Sequence, residues 1–136
     1  MKLIDVAQGS PEWLAVHIGI PTASRFGRLL TPTGNPSEQA KKYMNELIAE
    51  RLLGVNLISG DDDAPSPWMQ RGSDLEVQAG RYYELQRDVD CHKVGFLLHD
   101  SGRFGCSPDR LIGGDGLLEI KCPKASIHVG YLLDDR

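Results

Sequence analysis

The stretch that most constrains the fold is Cys106-Ser-Pro-Asp-Arg-Leu-Ile-Gly-Gly-Asp-Gly-Leu-Leu-Glu-Ile-Lys-Cys-Pro123. Gly113-Gly114-Asp115-Gly116 reads as a tight turn, and the runs beside it, Arg110 to Ile112 and Gly116 to Lys121, read as strands, so the stretch folds back as a hairpin. Glu119 and Lys121 lie two residues apart, so they project from one face, with Leu118 and Ile120 on the other. Asp109, opening the first arm, can face the same side across the hairpin. Leu117, Leu118, Ile120 and Cys122 surround the charged pair, so this arm reads as buried. Burying two carboxylates and an ammonium costs several kcal/mol per ion unless something compensates.

A divalent cation would compensate. Mg²⁺ prefers oxygen ligands, keeps several waters and is typically held by one or two carboxylates plus substrate phosphate. Asp109 and Glu119 offer the carboxylates, and the Ile120 carbonyl adds a further oxygen. An ammonium beside the attacking water favours its hydroxide form and orients it, which gives Lys121 a role in phosphodiester hydrolysis. Glu76, from a preceding helix, can supply one more carboxylate for a first or second ion. An exposed, salt-bridged hairpin without function would contain the same residue types, and both readings stay open on these residues alone.

Ser10 with Pro11 opens a short helix through Trp13, Leu14 and His17, and Thr22 to Phe26 is a capped turn leading into a second helical piece ending near Leu30. Ser37 and Glu38 open a longer helix in which Tyr43, Leu47, Ile48 and Leu52 repeat at helical spacing up to Gly54. Residues 59–67 read as a solvated loop, its three aspartates included. From Pro67 or Trp68 to Gln86 the period is helical again, with Leu75, Ala79 and Tyr82 on one stripe and Glu76 beside it. Strand-like runs follow at Cys91 to His99 and Gly102 to Cys106, before the hairpin, and a closing helix runs from Ser126 to Leu133. Helices followed by several short strands predict an α/β or α+β domain, a central mixed sheet flanked by helices.

A chain of 136 residues is expected to form one domain with a core that needs neither disulfide nor structural metal. Cys91, Cys106 and Cys122 form no CxxC pair and read as small apolar residues in a reducing, cytoplasmic setting. No apolar run approaches the roughly 20 residues that span a bilayer. The net charge of −4 would count against a nucleic-acid binder, except that a metal-dependent nuclease must gather carboxylates, and bound cations then reverse the local field.

Ser107-Pro108-Asp109 with Glu119-x-Lys121 resembles the PD-(D/E)xK nuclease signature. The chain as a whole is similar to the lambda exonuclease, or YqaJ-type viral recombinase, family. The likeness runs in order through Gln8-Gly9, Glu12-Trp13, Ile18-Gly19, Thr22-Ala23-Ser24, Gly72 with Glu76, Cys106 to Asp109 and Leu118 to Pro123. It implies a restriction-endonuclease-like core and an Mg²⁺-dependent exonuclease, with Mn²⁺ as a substitute, that resects double-stranded DNA ends 5′→3′ for recombination. It further implies a single-strand annealing protein as partner and a homo-oligomer, a ring-shaped trimer in lambda-type members.

By position the resemblance gives Asp109, Glu119, Lys121 and Glu76 the catalytic roles and Asp109, Glu119, Ile120 and Glu76 the metal contacts. Ser24 takes the 5′-terminal phosphate, where helix-start N–H groups attract anions. His17 stands where lambda-type members carry an arginine on that phosphate, and Arg25 is the candidate to take over. Asp109 is followed by Arg110 in place of the usual glycine. Family members continue past this point, so residues 1–136 are expected to be a nuclease core lacking the C-terminal part of the family domain. The alternatives are a shortened, inactive DNA-binding or assembly module and a structure-specific or nicking endonuclease.

Overall fold

The computed structural model describes residues 1–57 and 67–134, so the acidic loop read at residues 59–67 lies almost wholly outside the described residues. The order of elements is β1 (Lys2–Ile4), α1 (Pro11–Val16), a 3-10 turn (Ala23–Arg28), α2 (Ala40–Leu53), α3 (Pro67–Arg87), β2 (Cys91–His92), β3 (Phe96–Leu98), β4 (Gly105–Cys106), β5 (Arg110–Ile112), β6 (Gly116–Leu118) and α4 (Ala125–Leu133). The class is mixed α/β, as expected. Its strands form two three-stranded antiparallel sheets, β1-β3-β4 and β2-β5-β6, with one isolated parallel bridge between Thr22 and Gly105. The described residues divide into two compact units, 1–57 with 93–108, and 67–92 with 109–134.

The first unit starts from local signals that the sequence states openly. Ser10 accepts the Trp13 N–H at 3.1 Å and Pro11 occupies the first turn, so α1 begins where expected. Helix α2 begins at Ala40, three residues after Ser37, because Ser37 to Gln39 is spent on a turn closed by the Ala40 N–H to the Ser37 carbonyl at 3.0 Å. It ends at Gly54, whose φ of +67° favours glycine. The core gathers Tyr43 and Leu47 of α2, Val94, and Phe96 and Leu97 of β3, with Phe96 fully buried. β1, too short for a period to show, pairs with β3 in the register Lys2↔Leu98 to Ile4↔Phe96.

Glu50 is the unusual member of that core, a carboxylate only 1% exposed. Its two oxygens accept the N–H groups of Gly19 at 2.8 Å and Leu57 at 2.9 Å, while Arg51 Nε donates to the Gly19 carbonyl at 2.9 Å. Buried carboxylate oxygens are tolerated where such donors replace their water. Helix α2 thereby fixes the bend that separates α1 from the 3-10 turn.

The run expected as one strand from Cys91 to His99 is broken into β2 and β3. β2 pairs with β5 in the second unit, and β3 with β1 and β4 in the first. Between them the carbonyls of Val94 and Gly95 accept side-chain donors, Gln8 Nε2 at 2.8 Å and Trp13 Nε1 at 3.1 Å, in place of a sheet partner. The expected run from Gly102 likewise narrows to Gly105–Cys106, behind a turn in which the Gly102 N–H donates to the His99 carbonyl at 2.8 Å. In the second unit the expected β5–β6 hairpin forms, in the register Arg110↔Leu118 through Ile112↔Gly116.

Candidate active site

The hairpin's second arm ends as a strand at Leu118, short of the expected Lys121. Beyond it the Ile120 N–H turns to Asp109 Oδ2 at 2.5 Å. That bond draws the Asp109 carboxylate onto the Glu119–Lys121 segment.

Glu119 and Lys121 form an ion pair through Oε1 and Nζ. Both are open to solvent, with side chains 55% and 75% exposed, and Leu117 is 49% exposed. The apolar enclosure expected from the sequence is thus absent, because the arm leaves the sheet before reaching the charges. The compensation argument from burial does not apply here. What remains is local convergence: the hydrogen bond it donates to Glu119 holds the Lys121 ammonium above its usual range against partial desolvation, and the charges of Glu119 and Asp109 add to it. Lys121 is a cation at neutral pH.

Asp109, Glu119 and the Ile120 carbonyl are all hard oxygen donors, which fits Mg²⁺, an ion that completes its shell with water. Among the described residues no group of three or more His, Cys, Asp or Glu side chains converges, so the side-chain donors brought together are two. Glu76 is half-buried on α3, one turn before Gly80, whose backbone packs against Arg110 of β5. It therefore lies on the helix face that meets the hairpin.

Lys121, Cys122 and Pro123 also form one wall of a concavity of about 400 Å³. Arg71, Leu75, Ala79 and Tyr82 of α3 and His128 of α4 complete it, so the predicted stripe of Leu75, Ala79 and Tyr82 does share a face.

The residues expected at a terminal phosphate belong to the first unit. His17 Nδ1 donates to the Trp13 carbonyl at 2.6 Å, and its ring packs between Trp13 and Phe96 at centroid distances of 4.0 and 4.6 Å. Burial lowers its pKa below the ordinary 6.5, and the nearby charge of Arg25 pushes the same way against that of Glu50. With its one N–H held by the Trp13 carbonyl, the neutral ring presents only the acceptor Nε2, so at neutral pH it offers a phosphate neither a charge nor a donor. Ser24 is exposed, its Oγ 3.3 Å from that of the buried Thr22, and Arg25 is half-buried. The helix beginning at Ala23 is a six-residue 3-10 turn, too short for the anion-attracting terminus expected there.

Two further residues brace the first unit's backbone between Val94 and Pro108. Trp13 Nε1 donates to both Gly95 O and Ser107 Oγ, the latter at 2.9 Å, and Gln8 spans Val94 and Pro108. Together they hold the backbone that leads into Asp109. Sequence alone gave them no role beyond a helix face and a family likeness, since both act through contacts more than 80 residues away in the chain.

Residues 12–136 match the family model of the YqaJ-like viral recombinase domain, and the chain belongs to that family. Among solved structures it is similar to an alkaline exonuclease, LHK-Exo, from Laribacter hongkongensis, at 34% identity and a TM-score of 0.73, covering 93% of this chain and 60% of that one. A structure of LHK-Exo in complex with dAMP gives a TM-score of 0.74 at the same identity and coverage. The chain thus spans about 60% of the length of these relatives. No curated protein sequence matches it.

Proposed function

We propose that this chain carries the catalytic centre of an Mg²⁺-dependent exonuclease that resects double-stranded DNA ends, 5′→3′, in recombination. The observation that carries the reading is the Ile120 N–H to Asp109 Oδ2 bond, which sets a carboxylate beside Glu119 and Lys121. Family membership and the likeness to an alkaline exonuclease support it.

In this reading Asp109, Glu119 and the Ile120 carbonyl hold the cation, with Glu76 as the helix carboxylate and Mn²⁺ as a working substitute. When bound, Mg²⁺ supplies charge neutralisation and polarisation at the phosphoryl group. Lys121 donates hydrogen bonds that orient the attacking water and offset charge growing on the phosphate. Being protonated, it is not the proton acceptor. As a ligand of the cation Glu119 would give up its ion pair with Lys121, which would free the ammonium for that task. Arg71 and His128, in the concavity beside Lys121, offer charge and hydrogen bonds to the DNA backbone, and Tyr82 a surface for stacking. Ser24 and Arg25 take the 5′-phosphate, with His17 adding a donor only when its ring is protonated. The working assembly is a homo-oligomer, a ring in lambda-type relatives, acting with a single-strand annealing protein in the cytoplasm.

The test is digestion of linear and of closed circular duplex DNA with Mn²⁺. Loss of linear DNA alone is expected. Equal cutting of the closed circle would replace the exonuclease reading by an endonuclease, and no digestion of either would remove the activity from this chain.

A further inference from the structure

Arg110 is 7% exposed, although arginine is rarely buried unless paired, and its Nε is buried without a hydrogen-bond partner. The guanidinium lies on the bare backbone of α3 at Gly80. A Cβ built there would stand 2.3 Å from Nε, 2.5 Å from Cζ and 2.6 Å from Nη2. Glycine inside a 21-residue helix is itself unfavourable relative to alanine. Two locally costly choices, a desolvated guanidinium and an interior helical glycine, meet at one contact and are complementary there. They join the strand residue next to Asp109 to the helix residue one turn from Glu76.

We propose that Arg110 is a positioning residue, whose seat on Gly80 sets the α3 face carrying Glu76 against the hairpin arm carrying Asp109. The inference rests on the reading of Glu76 as a carboxylate of the metal centre. Along a strand, successive side chains alternate, so Arg110 reaches α3 while Asp109 reaches Ile120. Along a helix, one turn is about 5.4 Å, so Glu76 moves with Gly80 as one rigid piece. Any slip of α3 over β5 changes the separation of the two carboxylates. Arg110 thus stands to the metal centre as outer partners stand to metal ligands, touching none of the reacting atoms.

The test is calorimetric titration with Mn²⁺ of the whole chain, in a cycle of Arg110→Lys and Glu76→Gln. Lysine keeps the charge and most of the stem but loses the planar fork that lies over Gly80. Arg110→Lys is expected to weaken Mn²⁺ binding about tenfold. In the Glu76→Gln background the same change should matter by less than about twofold, since the ligand it places is gone. Equal losses in both backgrounds would mean that Arg110 supports the fold at large, and would overturn the proposal, as would no loss at all. Wild-type Mn²⁺ affinity in Glu76→Gln alone would instead remove Glu76 from the centre, a failure of the underlying reading visible without any change at Arg110. Gly80→Ala intrudes on the contact from the helix side and must give the same masked pattern, which keeps the proposal testable if Arg110→Lys folds poorly.

Discussion

Asp109 owes its place to a backbone donor, whereas Glu119 and Lys121 owe theirs to each other. The first is fixed by a hydrogen bond from Ile120, and the pair beside it is solvated and free to rearrange. Exposed ion pairs contribute about 0–1 kcal/mol, so exchanging the Glu119–Lys121 pair for ligand contacts is energetically easy. Lys121→Ala is therefore expected to leave Mn²⁺ affinity within about a factor of two while DNA cleavage falls on the order of 10²–10⁴-fold. Turnover at the wild-type rate would remove Lys121 from the mechanism. His17 supplies a pH dependence of different origin. Its folded pKa is depressed by burial, so at and below pH 6.5 the unfolded chain takes up a proton that the folded chain refuses. Stability is full above that pH and declines as pH falls from 6.5 toward the folded pKa. In urea unfolding at pH 7.5 and 5.5, His17→Phe should show a smaller loss than wild type. An identical loss would contradict a buried neutral imidazole.

At the scale of elements, helices were the legible part. Ser10-Pro11, the period of Tyr43 and Leu47, and Gly54 are local signals, and α1, α2 and α3 follow them to within a few residues. Strand ends were illegible because they depend on partners distant in sequence. β6 stops at Leu118, beyond which the Ile120 N–H turns to the Asp109 carboxylate, and the Cys91 to His99 run splits where Gln8 and Trp13 take its carbonyls. The same distinction applies to Glu50, whose position on α2 looks like any charged helical residue. Glu50→Ala would leave the Gly19 and Leu57 N–H groups without their acceptor, at about 1–3 kcal/mol for a buried donor. We expect a loss of about 3 kcal/mol in denaturant unfolding, and a change below about 0.5 kcal/mol would show that water replaces the carboxylate.

For the whole molecule, the net charge of −4 bears directly on the proposed binding of DNA. Carboxylates at the proposed centre would repel phosphate until a bound cation reversed the local field. A fluorescent duplex with a 5′-phosphate should therefore bind weakly in EDTA and at least about tenfold more tightly in Ca²⁺, a hard cation that takes the same oxygen ligands. Equal binding in the two conditions would indicate an affinity independent of the metal centre. Among the described residues no helix is long and apolar enough to cross a membrane. The described chain folds as two units, with the proposed metal centre in one and the proposed phosphate contacts in the other.

The sequence by itself determined the family, the helices, the existence of the hairpin and the identity of the ionic groups, because each is written in residues close together along the chain. Tertiary structure alone decided that Glu119 and Lys121 stand in solvent, that His17 is packed between aromatic rings, and that Arg110 lies on Gly80. Those outcomes turn on which distant backbone group accepts or donates a given hydrogen bond, and on whether a neighbour's missing Cβ leaves room. Neither is encoded in any local period.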